Sequence, residues 1–157
     1  MGFSGCGKTT ILKMLSETLN LPFFDADDFH PEANIVKMAK GLPLNDSDSM
    51  PWLRALAVKL NEWSSQEGAI LACSALKESY REHLNSQFEQ IHWIYLDGTY
   101  ERIEERLLKR KDHFFKPDLL ASQFEALEIP DYGVHVDIDD KPERVIDSII
   151  KKMDANA

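Results

Sequence analysis

The sequence predicts an α/β fold, a parallel sheet covered by helices, and three observations predict it. Helical and extended patterns alternate along the chain with no internal repeat or low-complexity tract, the order that parallel strands joined by helical crossovers require. A glycine-rich turn stands directly before the first helical pattern, as in loops that seat an anion at a helix N-terminus. Acidic, imidazole and basic side chains follow short apolar runs, at the strand ends where open sheets of this class bind ligands.

The elements follow in order. Ile11, Leu12, Leu15 and Leu19 share one face of a helix over 8–19, and the apolar run 21–24 reads as a strand. A short helix is expected over 31–40 with Gly41 as its stop, and Trp52, Leu53, Leu56, Leu60 and Trp63 recur at helical spacing over 51–66, closed by Gly68. Residues 69–73 and 93–96 are short buried-strand runs, each followed by a helical pattern. Helices over 100–110 and 118–127 precede the strand 134–138, and Pro142 opens a helix burying Val145, Ile146, Ile149 and Ile150. The basic, aromatic stretch 109–117 has no apolar period and reads as a mobile loop.

The 157 residues, 43% of them hydrophobic, suffice for one domain. With 18 Lys plus Arg against 27 Asp plus Glu, the net charge is −9, which argues against nucleic acid or a membrane surface as a partner. No apolar run reaches the ~18 residues of a membrane span and no leader pattern opens the chain. Cys6 and Cys73 cannot build a disulfide framework and read as reduced thiols. A soluble, cytoplasmic protein is expected.

Chemistry concentrates at four places. Gly2, Phe3, Ser4, Gly5, Cys6, Gly7, Lys8 and Thr9, with Thr10 after them, fit the phosphate-loop pattern. Glycines let backbone N–H groups curl around a β-phosphate, Lys8 reaches the β and γ phosphates, and Thr9 offers Mg²⁺ a hard oxygen. The plainer alternative is a glycine turn before a helix. Next, Asp25, Asp27, Asp28 and His30 end the strand 21–24. If the chain stays extended, Asp25 and Asp27 face one side, one orienting Mg²⁺-bound water and the other accepting a substrate hydroxyl proton. A solvated acidic turn is the alternative here.

Lys77 and Arg81 follow the strand ending at Cys73 and lie four apart, so on one helical face they could grip a substrate carboxylate. A surface pairing with Glu78 or Glu82 is equally open. No Asp stands in residues 70–73, so metal orientation falls to Asp25 or Asp27. Finally, Arg106 and Arg110 open a basic cluster through Lys116, suited to stabilising a phosphoryl group from a closing loop, or else to a solvated helix paired with Glu101, Glu104 and Glu105.

Taken together these blocks resemble gluconokinase. The likeness rests on residues 1–9, Asp25 through Pro31, Lys37-Met38, Gly41 through Asp46, Pro51-Trp52-Leu53, Cys73 through Lys77, Tyr80-Arg81, Arg110-Lys111 through His113-Phe114, and Gln123-Phe124-Glu125. The resemblance implies a three-layer P-loop fold like the nucleoside-monophosphate and shikimate kinases, and ATP-dependent phosphorylation of D-gluconate to 6-phosphogluconate. It further implies one kinase domain over 1–157 with a substrate-binding helical insertion about 30–66, a lid about 109–117 and a homodimer. On this reading ATP is held by Gly2, Ser4, Gly5, Cys6, Gly7, Lys8, Thr9, Thr10, Arg106 and Arg110, and Mg²⁺ by Thr9 and Asp25. Gluconate is held by Asp25, Asp27, His30, Lys77 and Arg81, with Lys8, Asp27 and Arg110 as the catalytic set. A kinase of another polyol acid or of shikimate, or an inactive nucleotide-binding module, are the alternatives.

Three departures stand out. Cys6 replaces the usual Ser, and Ser49 stands where the family commonly has Arg. Only Met1 precedes Gly2, where the family has an apolar strand at the centre of its sheet. The working protein is therefore expected to begin upstream, and residues 1–157 alone to leave a lane of about 10 Å between the strands ending at Cys73 and Leu96.

Overall fold

Helix α1 (Lys8–Leu19) starts where it does because Gly7 takes left-handed backbone, φ 89° and ψ 15°, and it stops at Asn20, also left-handed at φ 53°. The computed structural model describes residues 1–2, 6–88, 90–109 and 117–156. After α1 come β1 (Phe23–Asp25), a 3₁₀ turn (Ala26–Phe29), α2 (Glu32–Ala39), α3 (Asp46–Ser64), β2 (Ile70–Ala72) and α4 (Glu78–Asn85). The chain continues through β3 (Ile94–Asp97), α5 (Tyr100–Leu108), α6 (Pro117–Ala126), β4 (Val134–Asp137) and α7 (Pro142–Ala155). Among the described residues no helix is long and apolar enough to cross a membrane. The expected lid lies, apart from its ends, outside the described residues.

The helix expected from Pro51 begins instead at Asp46. Asn45 Oδ1 accepts from the Asp48 N–H at 2.8 Å and Asp48 Oδ2 accepts from the Asn45 N–H at 2.9 Å, a reciprocal capping box that stabilises the start by about 1 kcal/mol. Pro51 lies inside the helix. Its missing N–H forfeits one helical bond, a cost offset by the cap and by burial of Trp52, Leu53 and Leu56.

Among the described residues all strand pairing is parallel. β1 pairs with β2, Phe23 opposite Ile70 and Asp25 opposite Ala72, and β3 pairs with β4, Ile94 opposite Val134 and Asp97 opposite Asp137. Among the described residues no ladder joins β2 to β3. The Trp93 and Asp97 carbonyls accept from Val134 and Ile138, both at 2.9 Å, whereas Ile94 and Leu96 present their groups to the opposite edge. There the Met1 nitrogen donates to the Ile94 carbonyl, and the Leu96 N–H donates to the Met1 carbonyl at 2.9 Å. As expected, the strands flanking the lane are not bonded to one another. The lane is not empty throughout, since Met1 takes up the edge of β3 next to the loop.

Two cores hold these layers. Ile11, Leu12 and Leu15 of α1 pack with Val145, Ile146 and Ile149 of α7 across Leu96, Val134 and Val136. Each such side chain contributes about 1.5–3 kcal/mol on leaving water. In the second, Trp52, Leu53 and Leu56 of α3 meet Ala26, Cys73, Ala75 and Leu84. Trp52 also donates its indole N–H to the Ala26 carbonyl at 2.7 Å, which ties the 3₁₀ turn after β1 to α3 and so fixes the acidic turn in place.

Candidate active site

At the loop, Gly7 is the N-cap of α1, no side chain caps that helix and no acid stands in its first turn. The helix therefore offers backbone N–H groups and the positive end of its dipole to an anion. Lys8 Nζ donates to the Gly2 carbonyl at 3.0 Å, drawing the two ends of the loop together. Arg106 reaches across from α5, Nη1 donating to the Cys6 carbonyl at 3.2 Å and Nη2 to the Ile138 carbonyl at 2.8 Å. Cys6 is buried and Thr10 exposed. Ser4, Gly5 and Arg110 lie outside the described residues.

Asp25 and Asp27 come together, but through a turn and not through strand alternation. Asp25 ends β1 and its Oδ1 accepts from the Asp27 N–H at 3.0 Å, so that Asp25 caps the 3₁₀ turn that carries Asp27. About 40% of the Asp27 side chain remains exposed, and it faces a cavity of about 130 Å³. Loss of water against the cavity walls raises its carboxyl above the ordinary carboxylate range. Lys8 opposes that rise, and the charges of Asp25 and Asp28 add to it.

His30 lies flat on Trp52, ring centres 4.5 Å apart and planes at 12°. Its Nδ1 is 3.2 Å from Asn34 Nδ2 and its Nε2 3.8 Å from Asp27 Oδ1. Burial pushes the imidazole down to about 4, against the raising influence of Asp25. His30 is thus neutral near pH 7, and its approach to Asp27 is not an ion pair.

The far wall is built by Ser49, Ser74, Lys77 and Tyr80, with Ser122 and Gln123 closing it from α6. Lys77 Nζ and Tyr80 Oη both donate to Asp46 Oδ1 at 2.6 Å. Ser49, buried where the resemblance expects Arg, hydrogen-bonds Tyr80, so the wall's cation comes from Lys77. The Ser74 hydroxyl is buried and meets no protein partner. An unpaired buried hydroxyl costs about 1–3 kcal/mol, and this one belongs to a residue of the cavity lining.

Arg81 does not join this wall, and the expectation that it grips substrate is corrected. Lys77 is the extended N-cap of α4 and not part of it, so the two side chains share no helical face. Arg81 is wholly buried. Nη1 donates to the Ala75 and Leu76 carbonyls at 2.9 and 3.0 Å, Nη2 to Glu78 Oε2 at 2.5 Å and the Glu128 carbonyl at 2.7 Å, and Nε to Tyr132 Oη at 2.9 Å. Every N–H of the guanidinium is spent inside the protein: Nη1 holds the 75–76 loop, which carries one side of the cavity, and Nη2 and Nε tie it to Glu78, Glu128 and Tyr132. Arg81→Met should lower stability by about 3–5 kcal/mol, the cost of breaking a buried charged network, and at temperatures where it stays folded should leave KM for the substrate near wild type. Thermal unfolding and initial rates on one preparation check this; a raised KM with unchanged stability would restore the substrate role.

The sequence patterns gave no role to Asn34, beside the cavity, or to Ser74, in its wall, and met Ser49 only as a departure from the family. Nothing in local spacing distinguishes a Ser or Asn that will be buried beside a cavity from one in water.

Among the described residues no group of three or more His, Cys, Asp or Glu could hold a metal by itself. The donors near the loop, the Thr9 hydroxyl and the Asp25 carboxylate, are hard oxygens that fit a cation shared with nucleotide phosphates.

Comparison with known proteins agrees with this geometry. The shikimate kinase family model matches residues 4–154. The thermoresistant gluconokinase of Escherichia coli is 41% identical over 156 residues, 96% of this chain and 89% of that protein. The crystal structure of a gluconokinase from Sinorhizobium meliloti superposes with a TM-score of 0.89 at 34% identity, over all of this chain and 90% of the other. That of a Janibacter sugar kinase gives 0.92 at 39% identity, covering 98% of this chain and 91% of the other. By the family match over most of its length and by these identities, the chain belongs to the shikimate kinase family, among its gluconokinases.

Proposed function

We propose that the protein transfers the γ-phosphoryl group of ATP to the terminal hydroxyl of D-gluconate, giving 6-phospho-D-gluconate and ADP. The observation that carries the reading is the cavity itself. A carboxylate of raised basicity and a neutral imidazole occupy its end nearest Lys8, and a cation, a phenol and an unpaired hydroxyl occupy its far wall.

A polyol acid matches both ends. Lys77 faces the substrate carboxylate, exchanging part of its bond to Asp46, while Ser74 and Tyr80 pair with chain hydroxyls. Asp27 accepts the proton of the terminal hydroxyl as that oxygen bonds to phosphorus, and the bond from phosphorus to the bridging oxygen of the departing diphosphate breaks. Because phosphoryl transfer depends on positioning and charge stabilisation, Asp27 works mainly by aiming the hydroxyl. Lys8 and the N-terminal end of α1 face the charge on the transferred group and the diphosphate. Thr9 and Asp25 would hold Mg²⁺ together with the nucleotide phosphates, and the ion would supply neutralisation of phosphate charge.

The test is a coupled assay for ADP release with gluconate, glucose and shikimate as acceptors. Gluconate should turn over, and glucose, which lacks the carboxylate, should fall at least about 10²-fold in kcat/KM because Lys77 and its partners are left facing nothing. Equal rates on gluconate and glucose would remove Lys77 from the reading, and turnover on shikimate alone would replace the substrate.

A further inference from the structure

Asn34 does not line the cavity, yet among the described residues it is one of three buried polar or charged ones, with Ser49 and Arg81. It stands on α2, facing both α3 and the acidic turn. Its Nδ2 lies 2.9 Å from the Asp48 backbone carbonyl and 3.2 Å from His30 Nδ1. A backbone carbonyl can only accept, so the Asn34 atom facing it is the NH₂ group. An NH₂ group can only donate, so the ring nitrogen it also faces carries no proton. The remaining ring nitrogen, Nε2, therefore bears the hydrogen, and it is the one 3.8 Å from Asp27 Oδ1. Stacking on Trp52, whose own N–H is held by Ala26, fixes the plane of the ring, and turning it over within that plane would cost the contact of Nδ1 with Asn34.

We propose that Asn34 is a positioning residue for phosphoryl transfer: by donating to Nδ1 it locks His30 as the Nε2–H form, whose N–H points to the space beside Asp27 where the substrate hydroxyl sits. This rests on the reading of Asp27 as the group that receives the hydroxyl proton. The separation of 3.8 Å is too long for a hydrogen bond between His30 and Asp27, and an oxygen lying beside both can donate to the carboxylate while accepting from Nε2–H. That polarity sets the hydroxyl's hydrogen toward Asp27 and leaves its other lone pair for phosphorus. The opposite tautomer would present a bare nitrogen, which competes with Asp27 for the same hydrogen. His30 is held neutral by burial, with Asp25 and Asp27 the acids near it. Asp48 offers Asn34 only its backbone carbonyl, because its carboxylate is paired with Lys37 at 2.6 Å.

The test uses the whole protein with nitrogen-labelled histidine. In the unliganded wild type, nitrogen–proton correlation spectra should show His30 protonated at Nε2 alone; a proton on Nδ1 overturns the proposal, whatever the substrate turns out to be. In Asn34→Leu the signal should move toward a mixture of both forms, and kcat with gluconate should drop about tenfold to a hundredfold with KM for ATP unchanged. A folded Asn34→Leu that keeps the wild-type tautomer and kcat overturns it too. If that variant does not fold, His30 carries the test. His30→Gln sets an amide N–H near the Nε2 position and should retain at least about ten times the kcat of His30→Asn, whose amide reaches only the Nδ1 position; equal losses in the two overturn the proposal. Absence of gluconate turnover in the wild type refutes the substrate and leaves the tautomer result standing.

Discussion

Asp27→Asn lowers kcat by about 10²–10⁴-fold, the range that a positioned proton acceptor supplies, while the melting temperature does not fall. The amide keeps the shape of the carboxylate and its place in the 3₁₀ turn, but it cannot take a proton. Stability is spared because Asp27 is held above the ordinary carboxylate range by its surroundings. A carboxyl raised in the folded state is one whose charged form the fold disfavours, so near neutral pH the native protein bears a cost that the amide removes. The same shift gives a pH signature. Activity needs the deprotonated acid, so the acid limb of kcat/KM in the wild type lies above the ordinary Asp range, and the residual activity of Asp27→Asn lacks that limb. Rate profiles across pH 4 to 8 on both proteins measure it; a wild-type limb at an ordinary carboxylate value would mean that another group limits the rate.

Lys8→Ala should lower kcat by about 10²–10³-fold, the loss seen when one preorganised donor to developing charge is removed, with smaller change in KM for gluconate. Lys8 reaches the Gly2 carbonyl and lowers the Asp27 carboxyl from a distance. Its loss therefore acts twice: phosphate charge goes unneutralised, and the Asp27 carboxyl rises further. The acid limb in Lys8→Ala should accordingly sit higher than in the wild type. Near wild-type turnover would remove Lys8 from the mechanism, and a lower acid limb would separate it from Asp27.

Much of this site could be read along the chain. The glycine spacing before Lys8, the acids after β1 and the polar run after Cys73 are each local: a few residues whose backbone needs or charges suit them to a strand end or a helix start. The boundaries of α1 were legible for the same reason, since Gly7 and Asn20 adopt the left-handed conformations that start and stop a helix. The start of α3 was not, because the Pro at 51 is a strong local signal and the capping box of Asn45 and Asp48 overrides it.

Arg81 and Asn34 show where local reading ends. Arg81 stands one turn past a strand end, as a substrate-binding cation would, and what it does depends on carbonyls at 75, 76 and 128 and a phenol at 132 brought together only by folding. Asn34 is one polar residue of an amphipathic helix until α3 places a carbonyl on one side of its amide and His30 on the other. The α/β class, the loop, the acids at the strand end and the family likeness were legible in the sequence alone, because these follow from backbone conformation and from residue types at short spacing, whereas the 3₁₀ turn that brings Asp25 to Asp27 was not. The tertiary structure decided which cation faces the cavity, which is consumed as scaffold, and which nitrogen of His30 holds its proton. Those outcomes depend on which donors and acceptors from distant segments are left to each other once water is excluded.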